Sequence, residues 1–173
     1  KNVCEILENF YNSTKQVLIL NMPPRHGKTF TINHFVQWML GNNNKLKIMI
    51  GAYNDLLSIN FSKQIRNAIA EENPRALTFS NIFPDTKIKY GDGAINQWSL
   101  EKGNNNYIAT SPGGTATGFG ADVLVIDDLI KNSMEANNML ALDKQWSWFT
   151  DTILSRLEGN KWKIIVVDRK SVV

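Results

Sequence analysis

Apolar positions along the chain follow two alternating rhythms. Val17-Leu-Ile-Leu20, Lys47-Ile-Met-Ile-Gly-Ala52, Val123-Leu-Val-Ile126 and Lys163-Ile-Ile-Val-Val167 are short, nearly unbroken apolar runs rich in β-branched residues. That is the pattern of strands covered on both faces. Between them, apolar residues recur at helical spacing: Val3, Ile6, Leu7 and Phe10; then Phe30, Ile32, Phe35, Val36, Met39 and Leu40; then Leu57, Phe61, Ile65, Ala68 and Ile69. A long helix over about 136–157 is predicted from Trp146, Phe149, Ile153 and Leu157, with Trp148 off the stripe and packing at its edge. Gly41 and the asparagines after it end the second helix, Asn54 or Asp55 caps the third, and Pro74 stops it. Strand and helix in alternation predict a parallel α/β sheet.

The stretch from Phe79 to Thr110 breaks this rhythm. Lys87–Tyr90, Ile95–Leu100 and Tyr107–Thr110 alternate over short lengths, separated by Gly-Asp-Gly and Gly-Asn-Asn-Asn. They read as hairpin-type pieces forming an antiparallel edge, with Trp98 packed on its surface. Ser111–Ala121 comes next, a segment with four glycines and no core pattern, open to reading as a connector or as a mobile loop near a ligand.

Composition narrows the picture modestly. The 173 residues suit one domain with a sizeable core, 43% of them are hydrophobic, and the formal charge of +3 is scattered rather than clustered. A single cysteine, Cys4, excludes an internal disulfide, fits a reducing compartment and is expected to face the core. His26 and His34 have no partners at metal-ligand spacing, so no structural zinc is expected. No apolar run approaches the ~18 residues of a membrane span. The chain opens at Lys1 within a helical pattern, as a fragment would.

Two landmarks carry chemistry. In Gln16–Thr29 a strand is stopped by Pro23 and Pro24, and Gly27-Lys28-Thr29 then opens a helix. Strand, tight loop and Gly-Lys-Thr at a helix start form the arrangement that cradles phosphates on free backbone N–H groups. Lys28 adds a point charge for the β- and γ-phosphates, and the Thr29 hydroxyl can ligate Mg²⁺. Met22 stands where the usual pattern has its first glycine. The second landmark is Asp127-Asp128, two acids at the C-terminal end of an apolar strand, the edge at which open α/β sheets bind ligands. Asp127 is placed to hold Mg²⁺ through water, and Asp128 to orient or deprotonate an attacking water.

With both landmarks in place, the chain resembles the ATPase domain of phage terminase large subunits. The resemblance runs through Asn21–Thr29, Ala52–Leu56 with Phe61–Arg66, Gly113–Asp122 leading into Val123–Lys131, and Leu154–Glu158 followed by Lys163–Val167. It implies an ASCE, RecA-like P-loop NTPase fold: a mostly parallel central sheet flanked by helices, with an antiparallel insertion. It implies ATP hydrolysis with Mg²⁺, a homo-oligomeric ring on a portal protein, a small terminase subunit as partner, double-stranded DNA as substrate, no membrane, and the host cytoplasm as location. Site residues are assigned by match. Pro24, Arg25, His26, Gly27, Lys28 and Thr29 would bind nucleotide; Thr29 and Asp127, the Walker B acid, would hold the metal; Lys28, Asp128 and Arg25 would be catalytic. The family's catalytic acid is often Glu, where this chain has Asp128.

Terminases carry a C-terminal nuclease with an acidic metal cluster, which this chain does not supply. The expected division is an ATPase domain over 1–167, truncated at both ends, and a tail, 168–173, that translates a stretch of common sequencing adapter and is therefore non-native. Two other readings share these motifs: a superfamily helicase or translocase ATPase, and a nucleotide-gated binding module that does not hydrolyse. Arg156, late in the last helix, reads as a solvated cation.

Overall fold

A computed structural model describes residues 2–92, 94–114, 116, 118–130 and 133–169. Thr115 and Thr117 of the glycine-rich segment and 170–173 of the expected tail lie outside the described residues. In chain order come α1 (Asn2–Asn12), β1 (Val17–Met22), α2 (Lys28–Asn42), β2 (Ile48–Ala52), α3 (Asp55–Ala70) and α4 (Phe79–Ile82). After these come β3 (Gln97–Trp98), β4 (Tyr107–Thr110), β5 (Val123–Asp127), α5 (Ser133–Ala136), α6 (Met139–Ser147) and β6 (Lys163–Arg169). The strands form one six-stranded sheet in the order β1-β6-β5-β2-β4-β3. Every pairing is parallel except β3 with β4. Helices flank both faces.

The apolar runs explain the middle of this sheet. Each residue of β2, β4 and β5 is buried, as expected for parallel strands covered on both sides. Alternation then divides the core. Ile48, Ile50, Val123 and Val125 join Leu7, Val36, Leu40, Phe61 and Ile65 beneath α1, α2 and α3. Met49, Leu124 and Ile126 join Trp148, Ile153 and Ile164 on the other face. Asn54 caps α3, its side chain accepting the Leu57 amide at 2.9 Å.

Several expectations are corrected. Tyr107–Thr110 is not part of an antiparallel edge alone: it runs parallel to β2, and β3 is the antiparallel strand. Lys87–Tyr90 contributes a single bridge, Ile88 to Leu100. Trp98 is fully buried rather than laid on a surface. Its ring stacks on Tyr107 at 4.8 Å, and its indole N–H donates to Ser62 Oγ at 2.9 Å. Cys4 is exposed, as are Ile6 and Phe30, so the first turns of α1 and α2 bury less than their stripes predict.

The helix expected over 136–157 is interrupted. After α6 the chain takes a π-helical stretch over Trp148–Ile153 and a 3₁₀ turn over Leu154–Arg156. A π-turn adds a residue per turn and rotates the phase of the residues beyond it. Trp148, at the start of that stretch, faces inward while Trp146 stays 66% exposed. The Thr150 hydroxyl, 3.0 Å from the Trp146 carbonyl and 3.3 Å from that of Ser147, occupies acceptors at the widened turn. Gly51 makes the room: a Cβ there would lie 3.0 Å from the Trp148 ring. Arg156 is half-buried, with Nε donating to the Thr152 carbonyl at 3.2 Å, rather than free in solvent.

Candidate functional site

The C-terminal ends of the parallel strands gather one edge of the molecule. β1 hands the chain to the loop over 23–27, which is exposed throughout. Arg25 (φ 63°) and Gly27 (φ 75°) are left-handed within it. Left-handed positions interspersed in a turn bring successive N–H groups toward one side, making an anion-binding concavity. Gly27 meets that conformation without a Cβ penalty, whereas Arg25 does not. α2 then starts at once, with the Thr31 amide bonded to the Gly27 carbonyl at 2.8 Å.

Across the edge, β5 ends on Asp127, which is 4% exposed. Because β6 lies between β1 and β5, the loop strand and the acidic strand stand two spacings apart, roughly 10 Å. Asp128 is left-handed (φ 46°), and its amide bonds to the Val167 carbonyl of β6 at 3.2 Å. That turn ends the extended alternation, so consecutive acids can converge instead of pointing to opposite faces.

Lys28 bridges the gap. Its Nζ lies 3.1 Å from Asp127 Oδ1 and 3.0 Å from Asp128 Oδ1, with the three side chains 11%, 6% and 16% exposed. Burial raises the Asp127 pKa above the usual carboxylate value; the Lys28 ammonium opposes this, and Asp128 and Asp168 add to it.

The structure thus brings together Lys28, Asp127 and Asp128. Thr29 and Asp127 also line one small crevice, with Ile32, Asn33 and Phe61. Pro24, Arg25, His26 and Gly27 stay on the exposed rim, where His26 Nδ1 donates to the Pro24 carbonyl at 2.9 Å. Arg25 makes no ion pair among the described residues. Two carboxylates and a hydroxyl are too few for a closed metal cage, and no cluster of three acidic, histidine or cysteine ligands exists among the described residues. The set does fit Mg²⁺, which keeps several waters and binds one or two carboxylates together with substrate phosphates.

One contact escaped the sequence reading. Asp55, in the first turn of α3, accepts the Ser111 hydroxyl at 2.6 Å and so ties the glycine-rich segment to the same edge. The available signal was position alone, an acid three residues past the end of a buried strand.

No family model matches the chain, and no curated protein matches it. Among solved structures, the chain is similar to the crystal structure of the HK97 bacteriophage large terminase, with a TM-score of 0.53 at 14% identity. The match covers 98% of this chain and 33% of that one, so the chain spans about a third of that protein's length. The likeness shows a terminase-like α/β fold.

Proposed function

We propose that this chain is the ATP-hydrolysing motor domain of a terminase large subunit, driving double-stranded viral DNA into proheads. One observation carries the reading: a lysine at a helix start, behind an exposed loop with left-handed positions, reaches two acids at the end of the next strand but one. An ordinary structural lysine has no need of that loop, and an ordinary surface acid pair would not be buried. The terminase-like fold supports the same reading.

In this reading the backbone of residues 24–29 and the Lys28 ammonium hold the phosphates. Thr29 and Asp127 would hold Mg²⁺, which would supply neutralisation of charge on the β- and γ-phosphates. Asp128, at the rim of the acid pair, accepts a proton from the attacking water. Arg25 stands on the loop, where its guanidinium can meet developing charge on the γ-phosphate or on a neighbour's nucleotide in a homo-oligomeric ring. A portal protein and a small terminase subunit are the partners of such a ring, and the host cytoplasm its location. No helix among the described residues is long and apolar enough to cross a membrane.

Phosphate release from the purified chain, with Lys28→Ala and Asp128→Asn beside it, tests the proposal. Hydrolysis in the wild type and its loss in both variants is expected. If wild type and Lys28→Ala are equally inert while ATP still binds, the chain is a nucleotide-gated binding module instead.

A further inference from the structure

The two borders of the sheet are finished differently. At one end β3 is only two residues long, and Trp98 within it is fully buried. Just beyond it, the Ser99 carbonyl accepts the Lys89 amide at 2.9 Å, and the Glu101 amide donates to the Lys87 carbonyl at 3.0 Å. Residues 87–89 thus pair with the chain that continues β3. Short border strands and covering segments are how proteins keep a sheet from recruiting further strands.

At the other end stands β1, six residues long and paired with β6 alone. Its sequence, Val-Leu-Ile-Leu-Asn-Met, carries none of the usual guards: no charge, no proline, no glycine. No strand among the described residues meets its outer N–H and C=O groups. Its residues alternate between exposed and half-buried, and the exposed set includes Val17 (51%) and Ile19 (64%). Ile19 lies beside Val166 of β6, itself half-buried, so an apolar strip runs inward from the border. An apolar, unguarded border strand of this length is a template for another strand.

We propose that β1 pairs antiparallel with β1 of a second copy of this chain, joining two sheets into one. Self-complementarity selects this occupant. A closed pair has a two-fold axis, and an axis normal to the sheet runs the two strands antiparallel with matching faces. Because side chains alternate, only residues of the same face can stand opposite each other. The register centred on Ile19 sets Ile19 against the partner's Ile19, Val17 against Asn21, and Leu18 against Leu20. The most exposed apolar residue of the strand is then covered by its own copy, in line with Val166 on either side. No charge meets a like charge, because the strand has none. A contact resting mainly on one six-residue strand is small beside the roughly 1,600 Å² of a standard interface, so the dimer is weak and reversible. Being isologous, it differs from the head-to-tail contacts of a ring. It involves no nucleotide and stands apart from the function proposed above.

Sedimentation velocity over a wide range of concentration tests this on wild type, Ile19→Lys and Ile19→Glu. Wild type is expected to pass reversibly from monomer to dimer and no further. Each charged variant is expected to weaken the dimer by at least about tenfold, because it sets like charges directly opposite at the centre of the register. Mixing the two variants is expected to restore dimers, since opposite charges then face each other. Ile19 is exposed, so both variants should keep the far-ultraviolet circular dichroism of wild type. Hydrogen exchange on wild type needs no variant: amides of 17–22 are expected to exchange more slowly at high concentration than at low. A wild type that stays monomeric overturns the proposal and leaves the border to a strand from another molecule. Variants that dimerise as wild type does, a mixture that stays monomeric, growth beyond the dimer, or exchange over 17–22 that ignores concentration would each overturn it too.

Discussion

Two lysines are withdrawn from solvent at opposite edges of the sheet, and they are held in different ways. Lys163, at the start of β6, is 6% exposed and donates to the carbonyls of Phe10 (3.3 Å), Ser13 (2.6 Å) and Lys15 (2.5 Å). Its ammonium also lies 5.0 Å from the Phe10 ring centroid. All three carbonyls sit at or just beyond the C-terminal end of α1, where a helix carries partial negative charge. Lys28 faces two carboxylates at 3.0–3.1 Å. Backbone carbonyls cannot leave, so Lys163 is a permanent cap, even though the Phe10 carbonyl is shared with the amide and hydroxyl of Ser13. Carboxylates can be taken by a metal ion, and an ammonium can be drawn away by phosphate oxygens. The Lys28 arrangement is therefore exchangeable, which is what a binding site requires and a structural pin must avoid.

The contrast can be broken in four ways. Replacing Lys28 with Met should have the largest effect, lowering affinity for nucleotide with Mg²⁺ by at least about 30-fold, the lower end for deleting one partner of a close charge pair. Titration calorimetry reads this directly, and an unchanged affinity would make Lys28 structural after all. Lys163→Met should do the reverse. It should cost about 3 kcal/mol of stability by denaturant unfolding, since charged hydrogen bonds contribute about 1.5–3 kcal/mol each and part is recovered by the apolar chain. Nucleotide affinity should stay within twofold; a comparable loss in both variants would erase the distinction.

Asp127→Asn should raise stability at neutral pH by about 1 kcal/mol, as expected where an ionised group is buried at a cost to the fold. The sign comes from the raised pKa. A carboxyl whose folded pKa lies above its unfolded value favours the fold when protonated, and that contribution is lost as pH rises through the folded pKa. The gain in melting temperature over wild type should therefore shrink toward acid pH, and a gain that grew on acidification would contradict the argument. Smallest of all, Lys47→Met removes an ion pair to Glu158 at 2.8 Å whose side chains are 35% and 51% exposed. It should change stability by no more than about 0.5 kcal/mol and should be masked by salt.

Much of the fold was legible in the sequence because parallel strands covered on both faces must be apolar along their length, as β2 and β5 are. Strand order was not. Nothing local says that β6 would slide between β1 and β5, yet that order sets the span that Lys28 bridges. The stripe through Trp146 failed because a helical wheel assumes one phase, whereas the π-turn at Trp148–Ile153 shifts it; the cause, room over Gly51 for an indole, lies about a hundred residues away. Lys163 was invisible as a cap, since a lysine opening a strand looks like a solvated flank until α1 is docked beside it. At the candidate site, the residue types and their positions at strand ends could be read. The left-handed turns at Arg25 and Asp128 belong to the fold.

A crystal structure of the chain with Mg²⁺ and a non-hydrolysable ATP analogue tests the exchange most directly. Lys28 Nζ is expected to leave Asp127 and Asp128 for the phosphate oxygens, and Asp127 and Thr29 would hold the ion. An analogue bound elsewhere, with Lys28 still on both acids and the loop empty, would contradict it.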